Sequence, residues 1–181
     1  MFILAELETF IKERCELKTF PKNHFLCEAG QVENRIYFVQ SGAIRAFLAT
    51  EKEEISIRFA YEGSFINSLA SFINQTPSEI YLETIRKTTL YVATKAQFEG
   101  FIQQNVEFVS AYNFLLQQLV VSQIEREFDL LTESPTARYQ RVLQRSPQLF
   151  QQIPAKYIAS YLRMQPETLS RIRKQHQEVK K

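Results

Sequence analysis

The chain has 181 residues, 45% of them hydrophobic and 23% charged, an ordinary composition for a soluble globular protein of one or two small domains. No apolar run approaches membrane-spanning length, and the start Met1-Phe2-Ile3-Leu4-Ala5-Glu6-Leu7-Glu8 lacks the basic region of a secretion signal, so a cytoplasmic protein with no membrane contact is expected. The net charge of +2 conceals a division: residues 1–134 carry 12 Lys and Arg against 18 Asp and Glu, a net of −6, whereas residues 135–181 carry 10 against only Glu167 and Glu178, a net of +8.

Residues 1 to about 18 read as a short amphipathic helix with Phe2, Leu4, Leu7, Phe10, Ile11 and Leu17 as its apolar members, closed by Pro21. From Asn23 to Thr94 the pattern changes to short β-rich runs separated by turn residues. These are His24–Cys27, Arg35–Gln40, its hairpin partner Ala43–Leu48 across Ser41-Gly42, the cleanly alternating Glu54–Phe59, Ile80–Ile85 and Thr89–Ala93. Many short strands at this spacing indicate a barrel or sandwich. Three of the four glycines lie at the turns, where backbone duty is the natural reading.

Helical signal resumes at Lys95–Phe101. Val106–Leu131 then runs without Gly or Pro, with Phe108, Tyr112, Leu115, Leu116, Leu119, Ile124, Phe128 and Leu131 at helical spacing. A helix of that length spans about 40 Å. It is too long for a small barrel to cover, so part of its apolar face is expected to form a two-fold dimer seam, with Tyr112, Leu115, Leu116, Leu119 and Ile124 as the dimerisation residues. Ser134-Pro135-Thr136 ends it and divides the chain into residues 1–134, with the dimerisation helix at about 106–132, and residues 135–181. Ser134 or Thr136 caps a helix over Ala137–Arg145, and Gln148–Gln152 forms a short helical turn.

From Pro154 onward two short helical patterns meet at an abrupt break. Ile158 and Leu162 share a face of one helix, and Leu169 and Ile172 share a face of the next. Pro166 suits the first position of the second helix, and Glu167 places a negative charge at its N-terminal end, where the macrodipole favours it. Ala159 supplies a small residue where the helices cross. This is a helix-turn-helix pattern. With Leu169 and Ile172 inward, the opposite face holds Glu167, Thr168, Arg171, Lys174 and Gln175, side chains that read base edges or hold phosphate. The basic segment coincides with this unit, and double-stranded DNA is the natural acidic partner.

A β-barrel, a long helix and a helix-turn-helix together resemble the catabolite-activator and fumarate-nitrate-reduction regulator (Crp/Fnr) family of bacterial transcription factors, whose prototype is among the well-known helix-turn-helix proteins. The residues that carry the resemblance are Glu167-Thr168 followed by Arg171, and Leu26-Cys27-Glu28-Ala29-Gly30 through Ile36-Tyr37-Phe38-Val39-Gln40-Ser41-Gly42. It implies an α+β fold: an N-terminal double-stranded β-helix of jelly-roll, cyclic-nucleotide-binding type, a long dimerisation helix, and a C-terminal helix-turn-helix domain. It further implies a dimeric, sequence-specific DNA-binding regulator whose Glu167, Thr168 and Arg171 meet base edges, with RNA polymerase a partner and an unidentified small-molecule effector in the barrel.

Three departures shape the expectation. Members that bind cyclic nucleotide carry Phe-Gly-Glu and then Arg-Ser or Arg-Thr around the phosphate, whereas this chain has Phe65-Ile66-Asn67-Ser68 and Pro77-Ser78-Glu79, so cyclic nucleotide is not expected to bind in the usual way. The turn residue that is usually glycine is Arg163, which implies a left-handed backbone there. The family's β-hairpin wing has no room after His176–Lys181, which leaves phosphate contacts to Lys156, Ser170, Arg173, the basic tail and the helix from Arg138 to Arg145.

No cofactor or metal is expected. Cys15 and Cys27 are too few for an iron–sulfur cluster and read as small hydrophobes, and His24 in a strand reads as structural rather than a haem ligand. Only His24 and His176 exist, and no nucleophile elbow, P-loop or dinucleotide glycine motif appears, so an enzyme is not expected. The alternative is a small-molecule sensor whose basic segment serves a protein partner; salt-dependent retention on duplex DNA separates the two.

Overall fold

The computed structural model describes residues 2–104 and 106–178. Helix α1 (Phe2–Arg14) leads into a jelly roll whose strands are β1 (Glu16–Phe20), β2 (Phe25–Cys27), β3 (Arg35–Ser41), β4 (Ala43–Ala49), β5 (Glu54–Tyr61), β6 (Phe65–Ile66), β7 (Tyr81–Thr84) and β8 (Thr88–Thr94), with the short helix α2 (Leu69–Asn74) between β6 and β7. Two antiparallel four-stranded sheets face each other, in the orders β1-β8-β3-β6 and β2-β7-β4-β5. Helices α3 (Lys95–Gln104) and α4 (Val106–Leu131) follow, then α5 (Pro135–Arg145), α6 (Leu149–Gln152), α7 (Ala155–Tyr161) and α8 (Pro166–Glu178). Among the described residues no helix is long and apolar enough to cross a membrane.

Alternation along the strands drives the burial. Tyr37 and Val39 of β3, Ile44 and Ala46 of β4, and Leu82 and Leu90 of the returning strands form the core between the sheets. The β3–β4 hairpin needs Gly42: its φ is 100°, and a Cβ there would sit 2.5 Å from Thr88 Oγ1. Leu7 and Ile11 pin α1 against Phe38 and Phe101, as the apolar spacing of α1 predicts. Leu17 departs from that expectation. The Cys15 N–H closes the last turn of α1 on Ile11 C=O at 2.9 Å, and residues 16–20 then pair with the free edge of β8, leaving Leu17 in β1 and 50% exposed. The side chains of Phe2 and Leu4 lie outside the described residues. β6 and α2 were not foreseen either, because two residues of strand and six of helix are too short to show a period.

One irregularity redirects a side chain. In the β4–β5 ladder Ala46 faces Arg58 and Phe47 faces Ser56, so Ile57 is an extra residue in β5. Strict alternation puts Ser56 and Arg58 on one face; the bulge sends Ser56 outward with Phe47 and Arg58 inward with Ala46.

The C-terminal helices share a core of Tyr139, Val142, Leu149, Ile153, Tyr157, Ile158, Ala159, Leu162, Leu169 and Ile172, which is continuous with Ala43 and Ile85 on the outer face of the β2-β7-β4-β5 sheet. Helix α7 lies against β5: Ser160 Oγ accepts from Ser56 N–H at 2.9 Å and donates to Glu54 C=O at 3.0 Å, and the rings of Phe59 and Tyr161 stand 5.6 Å apart.

Candidate nucleic-acid interface and effector cavity

The turn between α7 and α8 is closed by backbone bonds that fit a left-handed helix end. Met164 N–H donates to Ala159 C=O at 3.0 Å and Arg163 N–H to Ser160 C=O at 3.1 Å, with Arg163 at φ 53°. Arginine therefore occupies the left-handed position that its place in the sequence implied, and its guanidinium reaches Glu53 of the barrel at 3.2 Å. Pro166 opens α8, and Leu169 (1% exposed) and Ile172 (4%) turn inward.

Burial of that pair determines which side chains α8 presents. Glu167, Ser170, Arg171 and Lys174 are exposed, and spacings of three and four residues put them on one face. Thr168 and Arg173 are half-buried at its margins. Lys156 is exposed on α7, its Nζ 4.6 Å from the centre of the Tyr157 ring. His176 turns toward Tyr139, ring centres 5.8 Å apart, and is not part of the open face. Of the basic tail, Val179–Lys181 lie outside the described residues.

The arginines of α5 do something other than the phosphate contact expected of them. Arg138 donates to Leu162 C=O at 2.7 Å and to Thr132 C=O at 2.9 Å, closing the ends of α7 and α4. Arg141 reaches Asp129 at 3.1 Å and Glu125 at 2.9 Å, and Arg145 pairs with the same two residues. Asp129 is fully buried. Three cations of the basic segment are thus spent on joining α5 to α4, because the acidic end of α4 lies closer to them than any outside surface does. Arg126 of α4 (7% exposed) adds a second tie, its guanidinium 3.8 Å above the Tyr161 ring.

Helix α4 divides into two faces. Tyr112 meets Phe98 edge-on with ring centres 5.3 Å apart, Leu115 packs with Phe38 and Phe101, and Leu116 and Leu119 line a cavity against the barrel. Ile124 is 47% exposed. It belongs to a row of Phe114, Gln117, Val121, Ile124, Phe128 and Leu131, whose spacing alternates between three and four residues. The apolar members of that row are 39%, 55%, 47%, 52% and 77% exposed, far more than a helix buried on its own domain would leave.

The barrel and α4 flank a half-open cavity of about 700 Å³ beside α2. The segment where the family's phosphate binders would sit is tied up in itself: Ser68 and Ser78 hydroxyls bond at 2.8 Å, and Ser78 Oγ donates to Ile80 C=O at 2.7 Å. Behind it Glu33 (3% exposed) accepts from Arg35 N–H at 2.9 Å, and its second carboxyl oxygen has no partner among the described residues. Burial raises the Glu33 carboxyl, and burial together with Glu33 pushes the Cys27 thiol up to about 11. Cys15 and Cys27 are both free thiols. His24 stacks on Phe20, ring centres 4.8 Å apart, and among the described residues no group of three or more His, Cys, Asp or Glu is placed to hold a metal. Sequence reasoning missed Arg45, Arg58 and Arg126; only pairing and packing reveal their surroundings.

The architecture is thus a two-sheet jelly roll followed by a long helix and a helix-turn-helix. Residues 17–105 match the family described as the cyclic nucleotide-binding domain. Among solved structures, the chain is similar to a CooA mutant from Carboxydothermus hydrogenoformans (16% identity, TM-score 0.75, covering 94% of this chain and 79% of that one). It is similar also to the c-di-GMP responsive global regulator CLP of Xanthomonas campestris (15%, TM-score 0.70, 96% and 91%) and to the Thermus thermophilus catabolite activator protein (18%, TM-score 0.58, 96% and 83%). The chain shares the fold of these three proteins over nearly its whole length. No curated protein matches it significantly by sequence.

Proposed function

We propose that this chain is a homodimeric, sequence-specific DNA-binding transcription regulator whose barrel does not bind cyclic nucleotide in the usual way. The observation that carries the reading is α8: Glu167, Ser170, Arg171 and Lys174 stand open on one face while Leu169 and Ile172 anchor the other. Carboxylate, hydroxyl and guanidinium at that spacing suit cytosine, phosphate and guanine respectively. Thr168 and Arg173 flank that surface, and Lys156 on α7 is a phosphate contact. The exposed row Phe114, Val121, Ile124, Phe128 and Leu131 is the dimer seam, which sets two recognition helices across successive major grooves. Against cyclic nucleotide stand the missing phosphate-holding arginine and the self-bonded Ser68–Ser78 pair.

Selection from a randomised duplex library tests this. Wild type is expected to select a two-fold symmetric site. Arg171→Ala relaxes the choice at one base pair per half-site, by about 1–3 kcal/mol. Phe128→Glu, which buries a charge in the seam, yields a monomer in sedimentation and loses the symmetric site. Failure of wild type to retain any duplex even at low salt overturns the reading and moves the basic surface to a protein partner.

A further inference from the structure

The cavity beside α4 has one cationic wall residue among the described residues, Arg58, and no counter-ion to it lies among them. The β5 bulge aims Arg58 at the inner side of the sheet, where alternation alone puts an apolar residue. Arg58 lines the cavity of about 700 Å³, an adjoining one of about 290 Å³ that shares Asn67, Leu69 and Leu119 with it, and a third of about 170 Å³ where the Tyr161 phenol and Arg126 are neighbours. Among the described residues no carboxylate lies within ion-pair distance of its guanidinium and no acceptor takes its N–H groups. Glu79 and Glu127 line the larger cavity and Glu8 the smaller, yet none of them pairs with it, and Glu8 pairs with Lys12 instead at 3.6 Å. Burial accordingly pulls the Arg58 guanidinium below its ordinary range. Beside it the buried Nδ2 of Asn67 also lacks a partner.

A half-buried guanidinium without a counter-ion destabilises the protein that carries it, whereas a bound anion would supply the missing partner. The walls narrow the choice of anion. Ile57, Ile80, Leu119 and Ile124 offer an apolar surface, so the ligand has an apolar body. Glu79 and Glu127 share the cavity with a single arginine, which disfavours a dianion such as a phosphate monoester. We propose that the cavity binds a compact monocarboxylic acid, its carboxylate forked onto Arg58 and its apolar body against Ile57, Ile80 and Leu119. Asn67 is the neighbouring neutral donor. The inference deepens the reading of the barrel as an effector domain and does not depend on DNA.

The test is thermal unfolding and calorimetric titration of the full chain without DNA, using phenylacetate and octanoate as probes. Phenylacetamide, inorganic phosphate and 3′,5′-cyclic AMP serve as controls. Wild type is expected to show a saturable rise in Tm with at least one of the two acids and none with the amide or phosphate. Arg58→Leu is expected to melt above wild type when no probe is present, since an unpaired charge has been removed, and to lose the response to acid at least tenfold in Kd. The proposal is overturned by any of four results. They are silence of wild type toward both acids, an equal response to the amide, an undiminished response of Arg58→Leu, and a probe-free Arg58→Leu that melts below wild type. Symmetric-site selection by Arg58→Leu reports separately on DNA binding, so failure of the one leaves the other standing.

Discussion

The β2-β7-β4-β5 sheet carries an arginine on each face, Arg45 buried and Arg58 half-buried, and the two have opposite surroundings. On the outer face Arg45 (6% exposed) bonds Glu83 at 2.6 Å and Glu54 at 2.5 Å, and lies 3.9 Å from the Phe47 ring and 4.5 Å from the ring of Tyr157 on α7. On the inner face Arg58, one residue from the position paired with Arg45, meets a cavity and no anion. The outer face is closed by the C-terminal helices; the inner face packs in the core between the sheets and borders the cavity only around Ala46, Ile57 and Arg58. Burial of a charge therefore does not reveal its role. A charge with every partner supplied by the chain is a structural joint, and one without marks a place to test for a ligand.

The largest effect expected is at the joint. Arg45→Ala strands Glu83 (side chain 9% exposed) and removes the stack against Tyr157, and should lower stability by about 3–5 kcal/mol in urea unfolding. The double variant Arg45→Met with Glu83→Leu should lose less than either single variant, because no lone buried charge remains and Glu54 is exposed; a strictly additive loss would break the comparison. Next comes the α4–α5 tie. Asp129→Asn keeps the shape of a fully buried side chain but removes the charge that Arg141 and Arg145 share, and should cost about 2 kcal/mol, measured by the same unfolding curves. Smallest is Arg163→Gly. The ion pair it deletes is exposed on both sides, 40% and 55%, and glycine relieves a left-handed backbone, so the change in stability should stay within about 1 kcal/mol. A large loss there would mean that an exposed pair holds the two domains together, contrary to the ranking by burial.

Much of this architecture was legible beforehand for local reasons. The 26 residues of α4 carry no breaker, Ser134 accepts from Ala137 N–H at 3.3 Å as a helix cap with Pro135 behind it, and the paired spacings of Ile158 with Leu162 and Leu169 with Ile172 specify α7 and α8 before any tertiary contact is known. The same spacing oriented α8, so its exposed residues were among those named for DNA contact. Leu17 and α2 were less legible, since a sheet edge claimed the one and six residues cannot show a period for the other.

Residue type and spacing were thus enough for a barrel or sandwich, the long helix and the helix-turn-helix, because propensity, capping and alternation act over a few residues; the jelly roll itself came from the resemblance. Which face of α4 stays open, where the α5 arginines point and which way Arg58 faces were decided by the assembled fold. Tyr112, Leu115, Phe114 and Phe128 are all apolar at helical spacing, and only the position of the barrel separates covered from uncovered. Arg141 and Arg145 look like DNA contacts in a basic segment until Asp129, on a different helix, is brought beside them. A single extra residue, Ile57, turns Arg58 from the outer face to the inner, and a bulge is a property of strand pairing, visible only when β4 lies against β5.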